Sequence, residues 1–426
     1  MRRSLWHSLA GLCVAGTVLA APQWHALPGA PVAIRIDGLH FLDPLQGWVC
    51  TGDGAIHHTS NGGATWERQY LDVGNYFRCI QFADAQRGWV GTLSSSTLLL
   101  HTSNGGVDWS VVTGIPEPRP NALCGLSVPS AKVVYGVGSY AGPARFIKST
   151  DGGTTWTSKD LAPLASTLID VWFKSPSEGF AVGSVGQFPN SNRAVVLHTT
   201  DGGDHWQQRY VGARLGEWGW KISFPTPSIG YVSLERFNAP MFFLKTVDSG
   251  LTWSEHAFPD YNEQGIGFAT PLVGWVGGAD NPTLGTTDGG VSWSPTPWGD
   301  YINRFQFLNE GLAFATGVSV YKYSDETVAV GDEQRPRPGA IAAPNPFGAN
   351  TTIQFTLPRE ARVHLLITDP SGRVVRTIED RRQAAGAHRV EWDGRTDGGA
   401  PAPAGIYLFV LHAGDQHEMG KLVRVR

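Results

Sequence analysis

Charged residues are scarce in this sequence, and so are long apolar runs. Asp, Glu, Lys and Arg make up 16% of the 426 residues, the formal net charge is −4, and no block of basic residues occurs. A nucleic-acid interface is therefore not expected. Beyond the N-terminal segment, no run approaches the roughly 18 apolar residues of a transmembrane helix, and no helical period persists. These absences exclude an integral membrane segment after processing and a fold built on long helices.

The N-terminal segment has the features of a secretory signal peptide. Basic residues precede a short apolar run at residues 9–19, and small residues follow it. We predict that residues 1–20 are removed and that the product is exported to the cell surface, the medium or the periplasm. Cys13 is a poor lipidation site because it lies inside the apolar run and follows a leucine.

Cysteine is also scarce. Cys50, Cys79 and Cys124 remain after processing, which is an odd number at spacings unlike those of a metal site. Small, buried core residues are the simplest interpretation, and a disulfide between Cys79 and Cys124 is the alternative. We expect no metal and no cofactor.

Glycine (53 residues), proline (28) and tryptophan (16) are abundant instead, which favours short strands and tight turns. The octet "STDGGTTW" is one of six similar octets, whose final tryptophans are separated by 43, 47, 50, 47 and 40 residues. Self-similarity at such a period indicates a repeat architecture. The Asp or Asn and the Trp of the octets are Asn61 and Trp66, Asn104 and Trp109, Asp151 and Trp156, Asp201 and Trp206, Asp248 and Trp253, and Asp288 and Trp293.

A second pattern precedes the octets and occurs seven times. In stretches such as "FLDPLQGWVCTG", an apolar residue lies six positions before a small or apolar residue, which an aromatic residue follows. Each stretch predicts two strands joined by a turn, and a third strand, the octet turn and a fourth strand follow. Four antiparallel strands per repeat describe one propeller blade. We therefore predict an all-β fold with a seven-bladed β-propeller over residues 22–325.

The seventh repeat lacks a tryptophan, whereas Trp24 near the N-terminus is spare. We predict that the segment around Trp24 forms the outermost strand of the blade that contains Phe307 and Tyr321, because this closure removes an exposed edge. Within the octets, Asp or Asn can bond backbone N–H groups, Gly tolerates positive φ, and Trp packs between blades. The octet carboxylates are thus predicted to fasten turns and not to catalyse.

The composition changes after the seventh repeat. Residues 326–343 are polar and Pro-rich, which predicts a linker. Residues 344–426 contain alternating strands at short spacing, which predict a small immunoglobulin-like β-sandwich.

The six octets resemble the Asp box, or BNR repeat, of sialidases, sortilin-type receptors and xyloglucanases. With the "GWVG" strands before them, they are most similar to the propellers of the photosystem II stability and assembly factor family. In the C-terminal unit, "PNPFGANTTIQFTLP", "DPSGRVVR", "WDGRTDGG" and "KLVRVR" resemble the Ig-like domain of flagellar hook-capping proteins and the type IX secretion sorting domain. This pairing implies a bacterial surface or secreted protein, to which the photosystem label attaches through family membership only.

Three classes of function follow. A binding or assembly-factor-like propeller with a protein or glycan partner, monomeric in solution, is the preferred interpretation. A structural or adhesive surface module and a sialidase-like glycoside hydrolase are the alternatives. The sialidase resemblance would require an "RIP" element, and "AIRIDG" at residues 33–38 lacks its proline. We therefore predict no catalytic residues.

Loops that join one blade to the next open on one side of a propeller, together with loops between second and third strands. The octet turns open on the other side. Sorting the sequence by this rule predicts an arginine and aromatic binding surface for an acidic protein segment or a glycan. Its members are Arg78, Arg119, Arg145, Arg193, Arg214, Trp218, Trp220, Arg236, Tyr261 and Arg304. The alternative is that these arginines are scattered or pair with Glu217, Glu235 and Glu263.

Removing residues 340–426 tests the role of the C-terminal unit. If the unit is a sorting signal, the shortened chain should fold but remain in the periplasm, as measured by cell fractionation and immunoblotting. Surface delivery equal to that of the full chain would identify the unit as a structural spacer.

Overall fold

The computed structural model describes residues 22–33, 35–187, 190–236, 240–258, 263–278, 282–325, 340–345, 347–357, 359–369, 374–413 and 416–425. The predicted signal peptide, Tyr261 and residues 326–339 of the predicted linker lie outside these ranges. Within them every named element is a β-strand, and no helix is long and apolar enough to cross a membrane. This part of the chain is all-β, as the sequence predicts.

Seven four-stranded antiparallel sheets form the blades of a propeller. The first strand, β1 (Gln23–Ala26), belongs to the last blade. Blades 1 to 3, each from the central channel outward, contain β2 (Ile36–Phe41), β3 (Gly47–Thr51), β4 (Ala55–Thr59) and β5 (Glu67–Leu71); β6 (Phe77–Phe82), β7 (Gly88–Thr92), β8 (Leu99–Thr102) and β9 (Ser110–Val111); and β10 (Gly125–Ser130), β11 (Val133–Gly138), β12 (Arg145–Ser149) and β13 (Thr157–Asp160).

The remaining blades repeat this order, and blade 7 ends with β1. Blades 4 to 7 contain β14 (Thr167–Phe173), β15 (Gly179–Val185), β16 (Arg193–Thr199) and β17 (Gln207–Val211); β18 (Glu217–Ser223), β19 (Gly230–Arg236), β20 (Phe242–Thr246) and β21 (Ser254–Ala257); β22 (Glu263–Phe268), β23 (Gly274–Gly278), β24 (Leu284–Thr286) and β25 (Ser294–Pro295); and β26 (Arg304–Asn309), β27 (Leu312–Thr316) and β28 (Val320–Ser324).

The six-residue spacing of the second sequence pattern has a packing explanation. A Cβ atom on Gly47, the first residue of β3, would lie 2.5 Å from the ring of Phe41 at the end of β2. The same ring stacks on Phe314 of the preceding blade, with 3.5 Å between ring centroids, and Phe82 stacks on Trp48 at 3.7 Å. Aromatic pairs of this kind contribute about 0.5–1.5 kcal/mol beyond the burial of their area. The glycine therefore makes room for the ring that joins two blades.

Trp24 closes the ring of blades, and this prediction is confirmed. β1 pairs with β28, so that Trp24 lies opposite Tyr323. The Trp24 side chain is buried, stacks on Trp298 at 4.3 Å between ring centroids, and meets Trp275 of blade 6 edge-on at 5.5 Å. The N-terminal strand thus covers the edge that β28 would otherwise expose.

The three cysteines after the predicted signal peptide are free and buried. Burial raises the pKa of the Cys79 thiol to about 12 and raises the pKa of Cys50 and of Cys124 as well. The interpretation as small core residues is confirmed, and the alternative disulfide between Cys79 and Cys124 is wrong because both thiols are free.

The C-terminal unit is an Ig-like β-sandwich of two antiparallel sheets. Their strand orders are β29 (Ile341–Ala343), β30 (Thr351–Leu357) and β33 (Gly386–Trp392), and β32 (Val374–Gln383), β31 (Ala361–Thr368), β34 (Gly405–Ala413) and β35 (Gln416–Arg424). The first strand pairs with β30 from Ile341, so the sandwich begins slightly before the predicted boundary at residue 344. The two sheets pack around a core of fully buried side chains, which include Trp392, Leu365 and Leu422.

Replacing Trp24 with Ala tests the closure. The variant should lose about 3–5 kcal/mol of unfolding free energy, because a large buried aromatic is deleted where three rings meet. Chemical denaturation of the full chain would measure the loss. Val73, which is 81% exposed, provides the control: Val73→Ala should change stability by less than about 0.5 kcal/mol. A Trp24→Ala variant as stable as this control would contradict the closing role.

Candidate functional site

Each octet folds into a turn held by its Asp or Asn side chain. In blade 3, Ser149 Oγ donates to Asp151 Oδ1 at 2.9 Å, and the same oxygen accepts the Thr155 backbone N–H at 2.9 Å. The Trp156 indole N–H donates to the Gly153 carbonyl at 3.0 Å. Hydrogen bonds from Thr155 lower the pKa of Asp151 to about 2, so the carboxylate is ionised and engaged within the turn. The equivalent backbone contact, at 2.8–3.0 Å, is made by Asn61, Asn104, Asp201, Asp248 and Asp288.

The octet tryptophans pack against the rings that join the blades. Trp66 meets Phe41 edge-on at 6.0 Å between centroids, and Trp253 meets Phe180 at 6.2 Å. Trp156 is buried in a cluster with Trp89. Comparable edge-on contacts are made by Trp109, Trp206 and Trp293. The octets are therefore structural parts of every blade except the seventh, in which Trp24 takes this position.

The propeller has two sides that differ in chemistry. Because strands alternate in direction within each blade, the octet turns and the first hairpin turns share one side, which we call the box side. The connections between blades and the loops between second and third strands form the opposite side, which we call the arginine side. All seven predicted arginines lie at strand ends or loops on the arginine side.

Most of these arginines are neutralised within the fold. Five have acidic partners: Arg78 contacts Asp37 at 3.0 Å, Arg304 contacts Asp170 at 3.0 Å, Arg119 contacts Glu117 at 3.2 Å, Arg145 contacts Asp160, and Arg214 contacts Glu217 and Glu255 at 2.9 and 2.6 Å. These five arginines are therefore already engaged with acidic side chains of the fold, and a role for them in binding a partner stays a prediction. Among the described residues, Arg193 and Arg236 form no ion pair.

Trp218 and Trp220 are not exposed anchors. Their side chains are 1% and 6% exposed, and both pack edge-on against Tyr140. For Trp220 the expectation fails because the inner strand β18 carries a β-bulge between Gly219 and Lys221, which turns the ring of Trp220 into the central channel.

A buried polar network crosses the channel near the arginine side, and Asp37 lies at its centre. The carboxylate accepts hydrogen bonds from Arg35 Nε at 2.6 Å, from Tyr76 OH at 2.5 Å and from the Asn303 side-chain amide, and Arg78 completes the set. Burial alone would raise the pKa of Asp37, but Arg35 and Arg78 hold it well below its ordinary value. The carboxylate is therefore charged and joins inner strands of blades 1, 2 and 7.

The network continues to blades 5 and 6. Arg35 Nη2 donates to Gln264 Oε1 at 2.6 Å, and the Trp220 indole N–H donates to Asn303 Oδ1 at 2.9 Å. Gln264 Nε2 donates to Glu235 at 2.9 Å, and burial raises the pKa of Glu235 to about 7. Deeper in the channel, Asp170 accepts Arg304 and the backbone N–H of Ile222, at 3.0 and 3.3 Å.

Sequence reasoning missed Asp37, Asp170 and Lys221; it named Glu235 only as a possible partner of the arginines. Each of the three missed residues is a charged residue inside an inner strand that is otherwise mainly apolar or small, as in "IDGLHF", "TLIDVWF" and "EWGWKIS". That contrast is the signal that could have found them, because a charge on an inner strand can face only the channel or a neighbouring blade.

Arginines converge at the junction of blades 4 and 5. Arg214 spans Glu217 and Glu255 and stacks over Phe242, with 3.6 Å from its guanidinium carbon to the ring centroid. Arg236 is the cross-strand partner of Glu217, while Arg193 follows Asn192, whose amide donates to the Glu217 carbonyl at 2.9 Å. Arg193 is exposed and Arg236 half-buried. We call Arg193, Arg214 and Arg236 the junction arginines.

Two family models match separate parts of the chain. Residues 18–119 match the Photosynthesis system II assembly factor YCF48, and residues 346–417 match the FlgD Ig-like domain. The propeller resembles Ycf48. It is 27% identical over 330 residues to the photosystem II assembly lipoprotein Ycf48 of Synechococcus sp. (strain CC9902), covering 72% of this chain and 89% of the relative. Both resemblances that the sequence motifs indicate are thus confirmed.

The other comparisons agree with this division. A 75-residue region is 37% identical to the basal-body rod modification protein FlgD of Salmonella typhimurium (strain LT2), but it covers only 18% of this chain and 30% of FlgD. The solved structure "YCF48 bound to D1 peptide" superimposes with a TM-score of 0.55 and 17% identity, covering 72% of this chain and 97% of the other. The latter similarity establishes the fold alone.

Asp37→Asn tests the channel network of the Ycf48-like propeller. Near neutral pH the variant should lose about 3–5 kcal/mol of unfolding free energy, because Arg35 and Arg78 keep their buried charges without a counter-charge. A carboxyl with a lowered pKa stabilises the fold above its unfolded pKa of about 3.9 and loses that contribution as pH falls. Denaturation at several pH values should therefore show the difference between wild type and variant shrinking below pH of about 4.

The matched control is Asp160→Asn, which removes the partner of Arg145 at a site where the carboxylate is 47% exposed. This change should cost less than about 1 kcal/mol. Equal losses in the two variants would contradict a special role for Asp37.

Proposed function

We propose that the Ycf48-like propeller is a binding module without catalytic activity, and that it holds an acidic segment of a partner protein on its arginine side. The observation that carries this proposal is the group of junction arginines. Arg214 is fixed by two carboxylates, whereas Arg193 and Arg236 on either side of it form no ion pair within the described residues. Guanidinium groups with unused donors suit carboxylates of a partner, because they bind them in a bidentate geometry.

The relatives support a protein partner. The relatives that match the propeller are photosystem II assembly lipoproteins, and one solved structure of the same fold is of YCF48 bound to a D1 peptide. A glycosidase would need a pair of carboxylates that are available to the substrate. On this side Asp37, Asp170 and Glu217 each form an ion pair with an arginine instead. A glycan partner and a structural or adhesive role remain the alternatives to be tested against this proposal.

We also propose that the protein is exported and works in the cell envelope or outside the cell. The N-terminal features of a signal peptide and the lipoprotein designation of the Ycf48 relatives support export. The FlgD-like sandwich would then serve as a sorting or anchoring domain. The partner protein would then also be in the cell envelope or outside the cell. The proposal does not require a photosystem.

Reversing the charge of the two unpaired junction arginines tests the proposed surface. The variant Arg193→Glu/Arg236→Glu would be compared with wild type in pull-downs from an envelope extract, and in titrations with a synthetic peptide rich in Asp and Glu. Both measurements would be made at about 50 and about 300 mM salt. We expect partner capture to fall at least about tenfold at the lower salt, where exposed charges are screened least.

The control variant Arg68→Glu/Lys132→Glu makes the same change of charge at exposed residues away from the arginine side. It should bind as wild type does, and melting temperatures would verify that both variants are folded. Capture of the same partners by wild type and by Arg193→Glu/Arg236→Glu at both salts would eliminate this surface as the binding site.

A further inference from the structure

The box-side end of the central channel is a cavity of about 440 Å³. Five inner strands each contribute one residue to its wall. This residue directly precedes the aromatic residue that stacks on the neighbouring blade, and the five are His40, Gln81, Trp172, Ser223 and Gln306. Turns of blades 5 and 6 and the inner strand β26 complete the wall. The volume is in the range of about 300–1,000 Å³ that small-molecule sites occupy.

One part of the wall is aromatic and half-exposed. Trp172 stacks on Phe224 with 4.6 Å between ring centroids and 8° between ring planes, and Phe305 and Phe307 lie parallel at 6.3 Å. All four side chains are half-buried, whereas the rings at other blade junctions, such as Phe41, are fully buried. Rings that face a cavity in this way offer apolar area that a flat ligand can cover.

The inner end of the cavity supplies donors of hydrogen bonds. Arg304 lines the cavity and directs its two terminal nitrogens to Asp170, but its Nε atom has no acceptor within the part of the chain that the structure describes. Lys221 is not itself a wall residue, but it precedes the wall residues Ile222 and Ser223 on β18 and lies near the pair of Arg304 and Asp170. It is 2% exposed, and its Nζ atom has no hydrogen-bond partner among the described residues. A buried donor without an acceptor is costly, so an acceptor group of a ligand would be stabilised here.

The charges around this end favour an anion. Burial lowers the pKa of Lys221 well below its ordinary value, and the neighbouring Arg304 and Arg78 lower it further, while Asp170 and Asp37 oppose them. His40 is neutral because burial lowers its pKa to about 4. One added negative charge would offset the excess of basic groups and favour protonation of Lys221.

We propose that the box-side cavity binds a small aromatic carboxylate, whose ring packs against Trp172 and Phe305 and whose carboxylate accepts hydrogen bonds from Lys221 and Arg304. This site is separate from the junction arginines and does not rest on the proposed protein partner. Cations are disfavoured by Arg304 and Lys221, and a ligand without an acceptor would leave their free donors unsatisfied.

Calorimetric titration of the full chain with matched pairs of probes tests the proposal. The pairs are indole-3-acetate with indole-3-acetamide and benzoate with benzamide, which differ in charge but hardly in shape. At least one carboxylate should bind, and its affinity should exceed that of its amide about tenfold or more, because charge-assisted hydrogen bonds are the stronger ones. Equal affinity within both pairs, or no binding of either carboxylate, would overturn the proposal.

Two variants separate charge from shape. Lys221→Met should weaken carboxylate binding about tenfold and amide binding by less, because the amide carbonyl can accept the same hydrogen bond but carries no charge. Ser223→Phe should fill the cavity and abolish binding of both members of a pair. Ser110→Phe, at an exposed residue of β9, is the control and should bind as wild type does. Melting temperatures would verify that each variant folds, and wild-type affinity in Ser223→Phe would place the ligand elsewhere and refute the site.

Discussion

The stacking of an aromatic ring on the preceding blade is the contact on which this propeller depends. In blades 1, 2, 4, 5 and 6 an aromatic ring lies at or directly after the end of the inner strand, and a glycine begins the second strand because a Cβ atom there would collide with the ring. Once this pair is fixed, the hairpin between the two strands and the position of the octet turn follow. The octet tryptophans of blades 1, 2, 4, 5 and 6 then meet a ring edge-on and complete the joint. One kind of contact thus recurs around the propeller. The residues that one blade contributes to it are close together in sequence, whereas the residues of the neighbouring blade are distant in sequence.

Bulges in the inner strands give the channel its chemistry. The register shifts by one residue at Asp37, Arg78, Ile169, Trp220 and Gln264, at the same level of five blades. A bulge re-aims the side chain of the extra residue. Here the bulged side chains of four of these blades meet in or beside the network around Asp37. Five of the seven predicted arginines consequently have acidic partners within the fold, and among the described residues Arg193 and Arg236 on the rim form no ion pair.

The two sides of the molecule therefore have different capacities. The arginine side combines a satisfied network with the junction arginines at its edge, an arrangement suited to charge on a partner's surface. The box side combines half-exposed rings with buried donors that have no acceptor among the described residues, an arrangement suited to a small amphipathic ligand. The difference arises where blades depart from the repeat: β26 carries half-buried side chains throughout most of its length, whereas the other inner strands are mainly buried. Function in a repeat protein is expected at such departures, because identical blades offer identical surfaces.

The sequence by itself determined the all-β class, the seven blades, the closure through Trp24 and the structural character of the octets, because these depend on spacing within one blade. It also separated the C-terminal sandwich, whose motifs are local. Only the tertiary structure decided which arginines are free and where Trp218 and Trp220 lie. Strand alternation predicts the face of a side chain only while the register is regular, and a single bulge reverses it at Trp220. Ion pairs such as that between Arg304 and Asp170 join residues 134 positions apart, a proximity that depends on closing the ring of blades.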